Sequence, residues 1–254
     1  MDAVGGERAQ VRLDPRPAAH RVHGTSALTA VTAQNSLGVT AWTSLDPAMV
    51  IAQIEAVATD MPLAAVKTGM LASAAIVRVV ADTVSRLRLS PLVVDPVMVA
   101  KSGDRLLDPA AERAYVEVLF PRATLVTPNL HEAAALLGRP VQDLDAMRKA
   151  AQDLRARGPR AVLVKGGALA GDAVDVFFDG ERLVDLPGKR VDTPNVHGAG
   201  CTLSAAIAAR LALGQELLEA VRGAKEYLTQ GLRRSFAVGR GRGIPDHMHN
   251  VFSR

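Results

Sequence analysis

The stretch Asp192-Thr-Pro-Asn-Val-His-Gly-Ala-Gly-Cys-Thr-Leu-Ser204 decides how this chain is read, because a glycine-rich turn runs there straight into an alanine-rich helix. Gly198 and Gly200 let the backbone come close to a ligand, and the first-turn N–H groups of a helix have no intrahelical partner. Together they can hold an anion, and a phosphate is the natural guest. Cys201, the single cysteine of the chain, lies in the same first turn, where the helix dipole favours thiolate over thiol. The same residues also fit an ordinary turn ahead of a buried helix, with Cys201 as a small apolar core residue. Asp192 and the polar lead-in Asn195-Val-His197 are more than a simple turn requires.

Outward from that turn, apolar strands alternate with helices. Toward the carboxyl end, the helix is expected to run to about Leu213, and Glu216 to Arg234 forms a last amphipathic helix. The Gly- and His-rich tail from Val238 reads as loose. Toward the amino end, Asp179-Gly180 is a strong turn dipeptide between two apolar runs, Val174–Phe178 and Leu183–Leu186, and predicts a hairpin. Arg160–Gly167, Ala123–Asn129, Pro91–Val99 and Ala64–Met70 read as buried strands. Between them fall helical patterns at Asp143–Arg157, Ala110–Leu119 and Ser73–Leu87, and a further one begins at Asp46-Pro47 with an N-cap and a first-turn proline. Gly24–Asn35, rich in small and β-branched residues, suits one more buried strand and its exit loop. Such alternation implies a mostly parallel sheet with helices on both faces.

Polar residues recur where these strands end: Gln34, Lys67, Asp95, Asn129 and Lys165, with the glycine turn closing the series. In a parallel sheet such ends share one edge, where open α/β sheets place ligands. An anion turn, nearby lysines, and Asp95 with Glu132 available for Mg²⁺ suit phosphoryl transfer, which is mostly positioning and charge neutralisation. The sequence contains neither a Gly-x-x-x-x-Gly-Lys-Ser/Thr loop nor a protein-kinase signature, and no clustered Cys/His spacing suggests zinc, since His197 has no nearby histidine partner.

Composition narrows the class. With 254 residues and 48% hydrophobic content the chain can bury a full core as one domain. The net charge of +4 comes from scattered residues and aromatics make up only 3%, which argues against a nucleic-acid partner. A lone cysteine excludes an internal disulfide framework, no apolar run approaches the roughly 20 residues of a membrane span, and no signal peptide is visible, so the cytoplasm is the expected location. Residues 1–21, with four arginines and no apolar periodicity, read as irregular.

Six segments in order carry a resemblance: Thr29–Asn35, Val66–Leu71, Val93–Asp104, Val126–Glu132, Val162–Gly167 and Asn195–Ala206. From about Val22 to Phe236 the chain resembles the hydroxymethylpyrimidine and phosphomethylpyrimidine kinases of thiamine biosynthesis, in the ribokinase-like superfamily. The resemblance implies a three-layer α/β/α fold over residues 22–254, with the first strand missing or altered. It implies ATP and Mg²⁺ as cofactors, a small pyrimidine as substrate, and a homo-oligomer. The two successive phosphorylations of the family would fall to Cys201 as base, with Gly198, Ala199 and Gly200 as the anion hole and Lys165 near the transferred phosphate. Asn129 and Glu132 match the motif that organises Mg²⁺ and the ATP phosphates, and Asp95 matches an acid of the magnesium region. Gln34, Met70 and Val97 match residues lining the pyrimidine pocket. Where family members begin with an apolar strand and the loop Gly-Ser-Asp-Ser-Gly-Gly-Gly-Ala-Gly, this chain has Gly5-Gly-Glu-Arg-Ala-Gln-Val-Arg-Leu-Asp14. That departure points to a shifted frame, a different start or true divergence. It leaves open a non-catalytic relic that still binds nucleotide or pyrimidine, and pyridoxine-like alcohols remain an alternative substrate.

Overall fold

Four short buried strands form the centre: β5 (Val66–Thr68), β6 (Leu92–Val94), β7 (Leu125–Val126) and β8 (Ala161–Val164) lie side by side and parallel. They belong to the computed structural model of the chain, which describes residues 2–3, 19–98 and 109–251. Their side chains are buried on both faces, so β6, β7 and β8 are continuously hydrophobic rather than alternating, whereas β5 buries Lys67 within the strand rather than at its end, beside Thr68. Beyond β8, the predicted hairpin of β9 (Asp175–Phe178) and β10 (Leu183–Leu186) adds two strands, with β9 antiparallel to β8.

At the opposite edge β1 (Asp2–Ala3) pairs antiparallel with β5 and with β2 (Thr25–Ser26), giving the order β10-β9-β8-β7-β6-β5-β1-β2. All strands of this sheet except β1 and β9 run in one direction, as the alternation predicted. Asp2–Ala3 thus pairs within the stretch expected to be irregular, and Ala19 is buried. Residues 4–18, and the polar loop 101–108 with its Asp108 cap, lie outside the described residues.

Helices cover both faces. On one side lie α1 (Pro47–Ala58), α2 (Ala74–Arg86), α3 (Pro109–Ala114), α4 (Leu130–Leu137) and α5 (Leu144–Arg155). Their apolar residues, among them Val50, Ile76, Ala111, Ala133 and Leu154, pack with Val66, Val94, Val126 and Val162 in one cluster. On the other side α6 (Ala199–Ala212) and α7 (Leu217–Arg233) pack through Leu203, Ile207 and Val221 on Val93, Leu125 and Leu163. Adjacent strand residues such as Val93 and Val94 divide between the two clusters, as strand geometry requires. Each large apolar side chain so buried contributes about 1.5–3 kcal/mol.

Helix starts follow the predicted chemistry. The Asp46 carboxylate accepts the Ala48 N–H at 2.7 Å, the Asp143 carboxylate accepts that of Ala146 at 2.7 Å, and Ser73 caps α2. After α3 the backbone loosens into a π turn at Tyr115–Leu119, where an uninterrupted α-helix was expected. The buried Tyr115 hydroxyl donates there to Gly69 O at 2.9 Å.

Two expectations are corrected. Gly24–Asn35 is not one buried strand: after β2 the chain leaves the sheet and forms β3 (Ala30–Gln34), which pairs with β4 (Val39–Ser44) in a separate two-stranded sheet. Asn35 Oδ1 accepts the Leu37 N–H at 2.8 Å and closes that turn, so the β-branched residues serve cross-strand pairing rather than burial. The tail is not loose either. Phe236 and Ile244 form an antiparallel bridge, the Asp246 N–H donates to Gly231 O at 2.9 Å, and the Tyr227 hydroxyl donates to His247 O at 2.6 Å. Glycine content concealed a segment held by backbone bonds to α7 and its surroundings.

Candidate active site

Backbone bonds beyond the strands carry their ends to one edge. Asp95 N–H donates to Thr68 O at 2.9 Å, Thr127 N–H to Val94 O at 2.9 Å, and Lys165 N–H to Pro128 O at 2.8 Å. Asn129 and Lys165 then pair as a parallel bridge. Four of the predicted site residues are thereby fixed: Asp95 past β6, Asn129 and Glu132 at the start of α4, and Lys165 past β8.

Asn129 and Glu132 form a reciprocal cap on α4. The Asn129 side chain accepts the Glu132 N–H at 2.9 Å, and Glu132 Oε2 accepts the Asn129 N–H at 2.7 Å. The Asn-x-x-Glu spacing therefore has a helix-capping role as well as any ligand role.

Asp95, 1% exposed, is the hub. Its Oδ1 accepts from Lys165 Nζ at 2.7 Å and from the Thr127 hydroxyl at 3.1 Å, and its Oδ2 accepts from the Ser204 hydroxyl at 3.0 Å. Burial works to raise its pKa, but the ammonium charges of Lys165 and Lys67 outweigh burial and hold the carboxyl below its ordinary value. Burial likewise disfavours charge on Lys165, yet Asp95 and then Glu132 raise its pKa above the ordinary lysine range, so it stays an ammonium. Glu132, 3.9 Å from Lys165 Nζ, is pushed up to about 7, chiefly by burial, with Lys165 opposing and Asp95 reinforcing.

The glycine turn arrives at the same point. Gly198 takes φ +74°, a left-handed conformation suited to glycine, and stands as N-cap of α6. A β-carbon built on Gly200 would lie 3.2 Å from Lys165 Nζ, so the turn passes directly beside the ammonium. Cys201, buried at 8% exposure, follows Gly200 in the first turn of α6. Gly198, Ala199, Gly200, Cys201, Lys165, Asp95, Asn129 and Glu132 thus meet at one edge.

The residues matched to the pyrimidine pocket divide. Met70 and Val97 are half-buried just past β5 and β6: the Met70 carbonyl accepts from the Thr29 hydroxyl at 2.7 Å and the Val97 N–H donates to Asp95 O at 2.9 Å. Gln34 instead lies exposed at the end of β3, in the separate hairpin rather than at the end of a strand of the main sheet.

Three acceptor positions of the Asp95 carboxylate are taken by Lys165, Thr127 and Ser204, which makes it the counter-charge of Lys165 in this arrangement. Among the described residues no group of three or more His, Cys, Asp or Glu could hold a metal ion. No helix there is long and apolar enough to cross a membrane. Ser204 and Thr127 escaped the sequence reading. The available signal was a hydroxyl three residues after Cys201 on an otherwise apolar helix face, and another two residues before Asn129.

Beside the sheet edge a cleft of about 520 Å³ opens between the end of β10 and α7, lined by Pro187, Lys189, Lys225, Thr229 and Arg233. Lys225 Nζ donates to Asp175 Oδ2 at 2.7 Å and to Ala173 O at 2.8 Å, and Asp175 Oδ1 accepts the Gly166 N–H at 2.8 Å. The cleft wall is therefore tied to the residue that follows Lys165.

Comparison with known proteins agrees with this architecture. The model of the family described as phosphomethylpyrimidine kinase matches residues 17–246. A hydroxymethylpyrimidine/phosphomethylpyrimidine kinase of Synechococcus elongatus is 47% identical over 254 residues, covering 99% of this chain and 95% of that one. Among solved structures, a phosphomethylpyrimidine kinase of Clostridium difficile superposes with a TM-score of 0.75 at 39% identity, covering 84% of this chain and 88% of the other. The ADP complex of Bacillus subtilis pyridoxal kinase superposes at 0.86 with 37% identity, covering 92% and 89%. With a family match that spans most of its length and a relative nearly half identical, the chain belongs to the phosphomethylpyrimidine kinase family.

Proposed function

We propose that this protein transfers a phosphoryl group from ATP to 4-amino-5-hydroxymethyl-2-methylpyrimidine, and a second one to the resulting monophosphate, as a step of thiamine biosynthesis. The observation that carries the reading is Lys165, locked on Asp95 at 2.7 Å and lying against Gly200 at the mouth of α6. A terminal phosphate seated on the first amides of α6 would meet a permanent ammonium, and that pairing stabilises charge developing on the transferred group. The ammonium needs no titration to act.

Cys201 would face the acceptor. An alcohol gains from a nearby base, whereas a phosphate oxygen is already anionic. A partly ionised thiol would assist the first transfer without leaving a fixed negative charge beside the second acceptor. Asp95 serves as the counter-charge that orients Lys165. Magnesium would arrive with the nucleotide's phosphates and neutralise part of their charge. The cleft between β10 and α7 would take the nucleoside.

Purified full-length protein, ATP and the pyrimidine alcohol should release ADP in a coupled assay, and mass spectrometry should find mono- and then diphosphate. The match to pyridoxal kinase of Bacillus subtilis makes pyridoxine-type alcohols a second acceptor to run in parallel. Faster turnover of pyridoxine would move the assignment there. ADP release from neither would leave a nucleotide-binding protein without this chemistry.

A further inference from the structure

The polar lead-in Asn195-Val-His197 exceeds what the anion turn needs, and the structure shows what it holds. Asn195 Oδ1 accepts the Gly243 N–H at 3.1 Å, while the His197 N–H donates to Gly243 O at 3.0 Å. Two bonds to one residue clamp the tail on the segment that leads into Gly198. One turn further, His247 Nε2 lies 3.0 Å from the Thr202 hydroxyl, which itself donates to Gly198 O at 2.8 Å. The same tail also reaches the hairpin turn, where the Gly241 N–H donates to Ser36 Oγ at 3.1 Å. Both approaches leave no room for a side chain. A β-carbon on Gly241 would stand 1.9 Å from Ser36 O, and one on Gly243 would stand 2.1 Å from Phe236 O and 2.4 Å from Asn195 Oδ1.

We infer that the Gly239–Gly243 loop is a strap that positions the anion turn against the β3–β4 hairpin, with Asn195 as its anchor on the phosphate side and Ser36 on the other. The Phe236–Ile244 bridge closes the loop at its base, and the Tyr227 hydroxyl on His247 O secures its exit to α7. One short glycine-rich segment therefore touches both the turn proposed to seat the terminal phosphate and the hairpin that carries Gln34. Asn195 and Gly241 are positioning residues: neither needs to touch a reacting atom.

The inference rests on the kinase reading, and the test separates the two. In the full-length protein, Asn195→Ala should weaken ADP affinity and lower kcat by about tenfold each, because small displacements of a positioned group cost rate steeply. The KM for the pyrimidine alcohol should stay within about twofold, and the melting temperature should remain close to that of the unsubstituted protein. Gly241→Ala should do the reverse, raising the acceptor KM about tenfold by pushing the hairpin away while leaving ADP affinity unchanged. Unchanged ADP affinity in Asn195→Ala overturns the strap. Parallel loss of both parameters with a lowered melting temperature in both variants also overturns it, since that is the signature of a merely structural tail. Absence of turnover by the unsubstituted protein sinks only the kinase reading, because the ADP-affinity arm still decides the strap.

Discussion

The donor edge of the sheet and the β3–β4 hairpin are built on opposite principles. At the donor edge Asp95, Thr127, Lys165 and Ser204 come from four separate elements and are locked by buried charge-assisted bonds, with Asp95 1% exposed. Such a cluster is costly to disturb, because removing one partner leaves another charged group buried without compensation. The hairpin has local pairing and exposed residues, including Val31, Leu37 and Trp42. It meets the glycine-rich tail through Ser36, whose hydroxyl accepts the Gly241 N–H, and the core through Ala30. Under the proposed function, the contrast would suit an enzyme in which one side holds charge rigidly and the other admits and releases two successive acceptors.

The largest test of this contrast is Lys165→Met. It should lower kcat about 10³-fold, and because Asp95 is left buried and uncompensated it should also cost about 3 kcal/mol of stability in denaturant unfolding. A variant as stable as the unsubstituted protein would show that Asp95 and Lys165 are not interdependent. Next comes Cys201. Replacing it with alanine should slow the first transfer about 10²-fold and the second far less, whereas Cys201→Asp should harm the second more. Equal loss of both transfers in Cys201→Ala, read from separate time courses on alcohol and monophosphate, removes the step-selective role.

A third test uses pH. The Glu132 pKa is raised from 4.5 to about 7 in the fold, mainly by burial, so between those values the folded protein holds a proton that the unfolded chain has lost. Stability from this group is therefore full below pH 4.5 and declines as pH rises toward 7. Glu132→Gln should remove that dependence, about 3 kcal/mol across the window, in urea titrations, and an unaltered dependence would place its origin elsewhere. The smallest effect belongs to the hairpin: Gln34→Ala should raise the acceptor KM only several-fold, about 1 kcal/mol, with no change in melting temperature. A collapse in stability on that substitution would erase the difference between the two regions.

The same division governs what could be read from residues alone. Strand ends at Asp95, Asn129 and Lys165 were legible because buried parallel strands are uniformly apolar and stop at a polar residue. Helix starts at Asp46, Ser73 and Asp143 were legible because an N-cap is a local bond between neighbours in sequence. The hairpin was not, since Ala30–Gln34 has the β-branched texture of an interior strand and only its partner Val39–Ser44 shows that it lies outside. Ser204 and Thr127 escaped because their bonds to Asp95 span 109 and 32 residues, and a hydroxyl in an apolar run carries no mark of its distant partner. The tail misled for a related reason: Gly241 and Gly243 look like slack, but they are close approaches to Ser36 and Asn195.

The chain has a single tryptophan, and it is Trp42, on β4 and 46% exposed. Indole emission from this protein is thus a built-in optical probe of the hairpin, uncontaminated by signal from the sheet interior, and its colour and quenching as ligands are added would report whether the hairpin moves when an acceptor binds.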